Sequence, residues 1–97
     1  MLIDDIKNRI ASNIRNCKIK IIDESHMHAG HKNNRQGSAH FKAVIISEHF
    51  ENLSLIERHK KIYAILGSDM GTTIHAFSMK TFTPDEYKSI INKQTLE

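Results

Sequence analysis

KIKIID, residues 18–23, alternates lysine with isoleucine, the period-two pattern of a strand that buries one face and shows the other to solvent. Its partner in the chain is HFKAVIIS, residues 40–47, apolar and β-branched enough for a central strand. The two pair antiparallel across residues 24–39. That segment is polar, holds Gly30, Gly37, paired asparagines and three histidines, and reads as a long flexible loop, a kind that in compact domains is usually functional or disordered. Upstream, Ile3, Ile6, Ile10 and Ile14 recur at steps of three and four, the stripe of an amphipathic helix over residues 3–16. Asp4 and Asp5 favour its N-terminus and Arg15 sits near its C-terminus.

Downstream, Ser54 and Glu57 in SLIE form a capping box. Ile56, Ile62, Tyr63, Ile65 and Leu66 are expected to line one side of the helix that follows, and Gly67 to end it. TIHAFSMK, residues 73–80, reads as a third strand with His75, Phe77 and Met79 on one face. TPDE, residues 83–86, combines a cap residue, proline at the first helical position and a glutamate, so a last helix starts there. The order helix, strand, strand, turn, helix, strand, helix predicts an α+β (α/β) fold: a mixed three-stranded sheet with helices packed on one side.

The chain has 97 residues and 39% hydrophobic content, without repeats or a break in composition. One domain over 1–97 is expected, because two cores of half that size would be too small to hold. A single cysteine, Cys17, excludes an internal disulfide and a Cys-pair zinc site, and its position between helix and first strand suits core packing. No apolar leader or membrane-length stretch is visible, so a cytoplasmic protein without membrane contact is expected. The net charge of +3 is too small for a dedicated nucleic-acid binder, whereas seven histidines are unusual and suit metal ligation. A phosphate-cradling glycine loop, an HExxH motif and a set nucleophile are all absent, so no enzyme is expected.

Four strings resemble the BolA family, whose fold is similar to the class II KH domain: IIDESHMH (21–28), SAHFKAVIIS (38–47), RHKKIYAIL (58–66) and TIHAFSMKTFTPDEY (73–87). The resemblance spans nearly the whole chain. The loop between His28 and His40 is longer than the family's usual one and adds His31 and Lys32, and the turn GSDMG (67–71) spaces its glycines by three residues. Gripping RNA in the KH manner through a GxxG clamp is therefore not expected.

The resemblance implies an accessory factor that forms a heterodimer with a monothiol glutaredoxin and co-ligates a [2Fe-2S] cluster for iron-sulfur trafficking, maturation or sensing. His75 would be the principal ligand. His28 would be the second, with His31 and His26 as alternatives in the same loop. His40 and His59 match family histidines and are expected to be structural, and His49 is expected to be exposed. Two cluster ligands would be thiolates, one from the glutaredoxin and one from its bound glutathione. An imidazole in place of a thiolate lowers the cluster's negative charge, and it leaves when protonated. The isolated chain is expected to be a monomer or weak homodimer. The alternative implied by the resemblance is a transcriptional regulator that binds DNA through a helix-turn-helix-like surface. Arg58, Lys60, Lys61 and Lys80 would supply its phosphate contacts.

Overall fold

The computed structural model of the protein describes residues 2–24, 40–72, 74 and 76–96. Helix α1 (Leu2–Asn13) leads into β1 (Lys18–Asp23), β2 (His40–Ile46), a 3₁₀ turn (Glu48–Phe50), α2 (Leu55–Leu66), a second 3₁₀ turn (Gly67–Asp69), β3 (Ala76–Phe82) and α3 (Pro84–Leu96). The sheet order is β1-β2-β3. β1 runs antiparallel to β2 with Lys20 opposite Val44, and β3 runs parallel to β2 with Val44 opposite Lys80. This is the expected mixed sheet.

The stripe of α1 behaves as the spacing requires: Ile6, Ile10 and Ile14 are buried, and Ile3 packs against the core. The helix ends at Asn13, earlier than residue 16, and Arg15 lies in the turn beyond it. Asn16 adopts φ +48°, the left-handed conformation that asparagine tolerates, and the chain turns there into β1. The Arg15 carbonyl accepts a hydrogen bond from the buried Ser47 Oγ, which itself accepts from the His49 N–H at 3.0 Å. Phe41, Ala43 and Ile45 of β2 complete the core between the sheet and α1 and α2.

In α2 the buried residues are Arg58, Ile62 and Leu66, at steps of four. Ile56 is 68% exposed and Tyr63 41%, so the apolar side drawn from the sequence is rotated from the true one. The cause is Arg58, a charged residue that takes the buried position one turn before Ile62. The Ser54–Glu57 capping box forms as read, and Gly67 caps the helix at φ +58°, ψ −133°, a conformation reserved for glycine.

β3 spans 76–82 rather than 73–80, because its ladder with β2 continues until Phe82 meets Ile46. Phe77, Met79 and Thr81 turn towards the helices. Thr83 then caps α3: its Oγ1 accepts from the Glu86 N–H at 3.2 Å and its N–H donates to Glu86 Oε1 at 2.9 Å. Helices α1 and α2 cover one face of the sheet. α3 stands beside β3, and its Tyr87 laps onto the opposite face against Phe82, with ring centroids 5.6 Å apart. Among the described residues, no helix is long and apolar enough to cross a membrane.

Candidate functional site at the loop end of the sheet

Because β1 and β2 are antiparallel while β2 and β3 are parallel, the end of β1 and the starts of β2 and β3 meet at one edge of the sheet. Asp23 pairs with Phe41, and His40 pairs with Ala76. The Glu24 N–H donates to the His40 carbonyl at 2.8 Å and ties together the two residues that flank segment 25–39. The end of β1 and Ala76, the residue that follows position 75, are thus about 10 Å apart, two strand spacings, and His40 lies between them. His75, His28, His31 and His26 lie outside the described residues, so the site is defined by its frame.

The remaining histidines divide by position. His40 stands at the loop end, is half-buried and takes part in interactions there. His59 is half-buried beside Leu55, Met79 and Ile90 in a shallow cleft between α2, β3 and α3. His49 sits in the 3₁₀ turn after β2, at the opposite end of that strand from His40, and is half-buried rather than fully exposed. Cys17 precedes β1, also opposite the loop end, and packs against the core. Burial pushes its thiol up from the ordinary value, which holds the sulfur protonated and poorly suited to ligation at neutral pH. Among the described residues no cluster of three or more histidine, cysteine or acidic side chains is poised for a metal.

Arg58 does not belong to a basic surface. It is 5% exposed. Its Nε donates to the Leu53 carbonyl at 3.1 Å and its Nη1 to the Thr81 carbonyl at 3.2 Å. Two further bonds of 2.8 and 3.1 Å, from Nη1 and Nη2, grip both oxygens of Glu86. The guanidinium also lies 5.7 Å from the Phe50 ring centroid. It ties α2, β3 and α3 together, which leaves no donor fork for a phosphate. The pairing holds the Glu86 carboxyl below the usual carboxylate range, with the Thr83 N–H as second cause. Of the other expected phosphate contacts, Lys60 and Lys80 are exposed and Lys61 is half-buried.

A second basic surface escaped the sequence reading. Lys18, Lys20, Lys42 and Lys80 all point away from the helices, on the outer face of the sheet. Its signal is the lysine half of KIKIID, the solvent-facing side of that alternation.

The architecture defines a small, one-sheet α+β protein in which the end of β1 and the starts of β2 and β3 lie at one end of the sheet. The chain belongs to the BolA-like protein family, whose model matches residues 10–86. It is 36% identical over 84 residues to the DNA-binding transcriptional regulator BolA of Haemophilus influenzae, an alignment that covers 87% of this chain and 79% of the relative. Among solved structures it is similar to the BolA domain of SufE1 from Arabidopsis thaliana, at TM-score 0.72 and 30% identity over 86% of this chain and 92% of that one. It is also similar to a bol-like protein from Babesia bovis, at TM-score 0.71 and 27% identity over 91% of each chain.

Proposed function

We propose that this protein is a non-catalytic, cytoplasmic accessory factor that binds a monothiol glutaredoxin and contributes histidine nitrogen to a [2Fe-2S] cluster held between them. The observation that carries the reading is the meeting of strand ends: the segment bearing His28 leaves the sheet from the end of β1 and re-enters at His40, which pairs with Ala76, the residue after His75. The donor chemistry agrees. The chain's one cysteine packs against the core at the opposite end of β1, which agrees with a cluster whose sulfur ligands are the thiolates of the glutaredoxin and its glutathione. His75 is the first protein ligand and His28 the second, with His31 and His26 as its alternatives. Bound there, the cluster supplies an exchangeable iron centre whose nitrogen side is released by acid.

The test is to mix the protein with a cluster-loaded glutaredoxin and follow visible absorption and circular dichroism. The spectra should change with the wild-type chain and stay unaltered with His75→Ala. Single alanine variants at His28, His31 and His26 identify the loop ligand. A spectral change that persists in His75→Ala refutes the assignment.

The relative's description as a DNA-binding regulator favours a second reading, in which Lys60, Lys61 and Lys80 contact duplex DNA. With Arg58 committed to the interior, three phosphate contacts give a salt slope of about −2.7 and weak affinity. Titration of a duplex at two salt concentrations decides it, and absence of binding at low salt ends it.

A further inference from the structure

The outer face of the sheet carries a pattern of which the readings above use only Lys80. Its residues form rows across the strands: Lys18, Ile46 and Phe82; then Lys20, Val44 and Lys80; then Ile22, Lys42 and Ser78. Lys20 and Lys80 flank Val44, and Lys42 stands on the central strand one row further on. All four lysines are exposed, and among the described residues none has an ion-pair partner. Lys88 of α3 joins them beside Lys18. Spacings of about 7 Å along a strand and about 5 Å between strands leave each ammonium in the field of its neighbours. Like charges gathered so closely disfavour the folded state. A polyanion relieves that repulsion.

We propose that this face is a binding surface for single-stranded nucleic acid. Lysine is depleted from protein–protein interfaces, least fitted of all to their dry centres, yet here Lys20 and Lys80 flank the central Val44 and Lys42 precedes it on the same strand. That argues for phosphates rather than an acidic protein. Strand selectivity follows from shape. Among the described residues the face has no protruding helix or ribbon to enter a duplex groove, whereas unpaired bases can lie flat on it. Tyr87 and Phe82, tilted 55° to each other at the edge of the lysine rows, supply aromatic surface for stacking. The two clefts bordering Tyr87 measure about 280 and 230 Å³, below the roughly 300–1,000 Å³ of small-molecule sites. A polymer draped across them fits better than an enclosed ligand. The inference stands apart from the cluster reading and shares only Lys80 with the α2 surface, and variants that leave Lys80 in place separate all three.

The probe is a fluorescein-labelled dT oligonucleotide, titrated with the full chain and read by anisotropy. Four phosphate contacts set a slope of log K against log salt of about −2.8, equivalent to about 50-fold weaker binding between 50 and 200 mM salt. The double variant Lys20→Gln, Lys42→Gln should lower the slope to about −1.4, and Tyr87→Leu should weaken binding about fivefold or more with the slope kept. Amide shift perturbations should map to β1, β2 and β3 in the wild-type chain. Lys20 and Lys42 are exposed and Tyr87 is half-buried, and the variants' own amide spectra report that the fold is retained. The proposal is overturned if the oligonucleotide does not bind at 20 mM salt. It is equally overturned if Lys60→Gln, Lys61→Gln removes binding while the sheet variant does not, which would instead support the α2 surface. Duplex binding as tight as single-strand binding, or equal competition by poly-glutamate or anionic phosphatidylserine vesicles, also overturns it.

Discussion

Replacing Arg58 with methionine keeps roughly the side-chain volume and removes every donor. In the folded protein the carbonyls of Leu53 and Thr81 then lose their side-chain partner, and Glu86 loses its bidentate grip. The Glu86 side chain is 46% exposed and can hydrate, so the abandoned carboxylate adds little. The loss is dominated by the two carbonyls, at about 1–3 kcal/mol for each group left unsatisfied, with the guanidinium–Phe50 contact adding up to about 1 kcal/mol. A total near 3 kcal/mol is a large part of the roughly 5–15 kcal/mol that holds a domain together. At 4–8 °C per kcal/mol for a domain of this size, the melting temperature should fall by about 12–24 °C. Thermal unfolding followed by circular dichroism measures it, with urea unfolding as a check on cooperativity. A fall below about 4 °C would show that the three-element clamp contributes almost nothing, and that α3 is held in some other way.

The same pair sets an acid limit. The folded-state pKa of Glu86 is depressed, so its contribution is fully present above the unfolded value near about 4.3 and is lost as pH falls through the folded value; in Arg58→Met most of that slope should vanish from urea midpoints measured between pH 5 and 2. Gly67→Ala meets no neighbouring atom within 4 Å, so its cost is purely conformational, about 1–3 kcal/mol by chemical denaturation. Thr81 Oγ1 is buried without a hydrogen-bond partner among the described residues. Thr81→Val should therefore leave stability unchanged or raise it by up to about 1 kcal/mol, and a loss above about 1 kcal/mol would show that the hydroxyl is satisfied in solution. Cys17 should react with iodoacetamide at pH 8 more slowly than a cysteine peptide, because burial favours the thiol.

Much of the fold was legible because its signals are periodic. Isoleucines at steps of three and four specify α1, alternation specifies β1, and two capping boxes mark the starts of α2 and α3. What escaped depends on partners distant in sequence. Arg58 looks like one more surface cation until Thr81 and Glu86 stand beside it, and the apolar side of α2 was misjudged for the same reason. The end of β3 is fixed by the length of β2 rather than by local composition. The candidate cluster site was readable only as a resemblance, since histidines in a long loop carry no period. The lysines of the outer face were visible as a pattern, but their convergence needed the register of all three strands.

The parallel pairing of β2 with β3 has a consequence for the nascent chain. When a ribosome has released residues as far as Leu66, α1, the β1–β2 pair and α2 can already associate, yet the second edge of β2 has nothing to bond with. That edge belongs to the central strand, which contains Phe41, Ala43, Ile45 and Ile46. Until translation delivers residues 76–82, it is an apolar template open to other chains. Synthesis of the final third of the molecule is thus the interval in which aggregation competes with folding, and slowing translation there should lower soluble yield more than slowing it over α1.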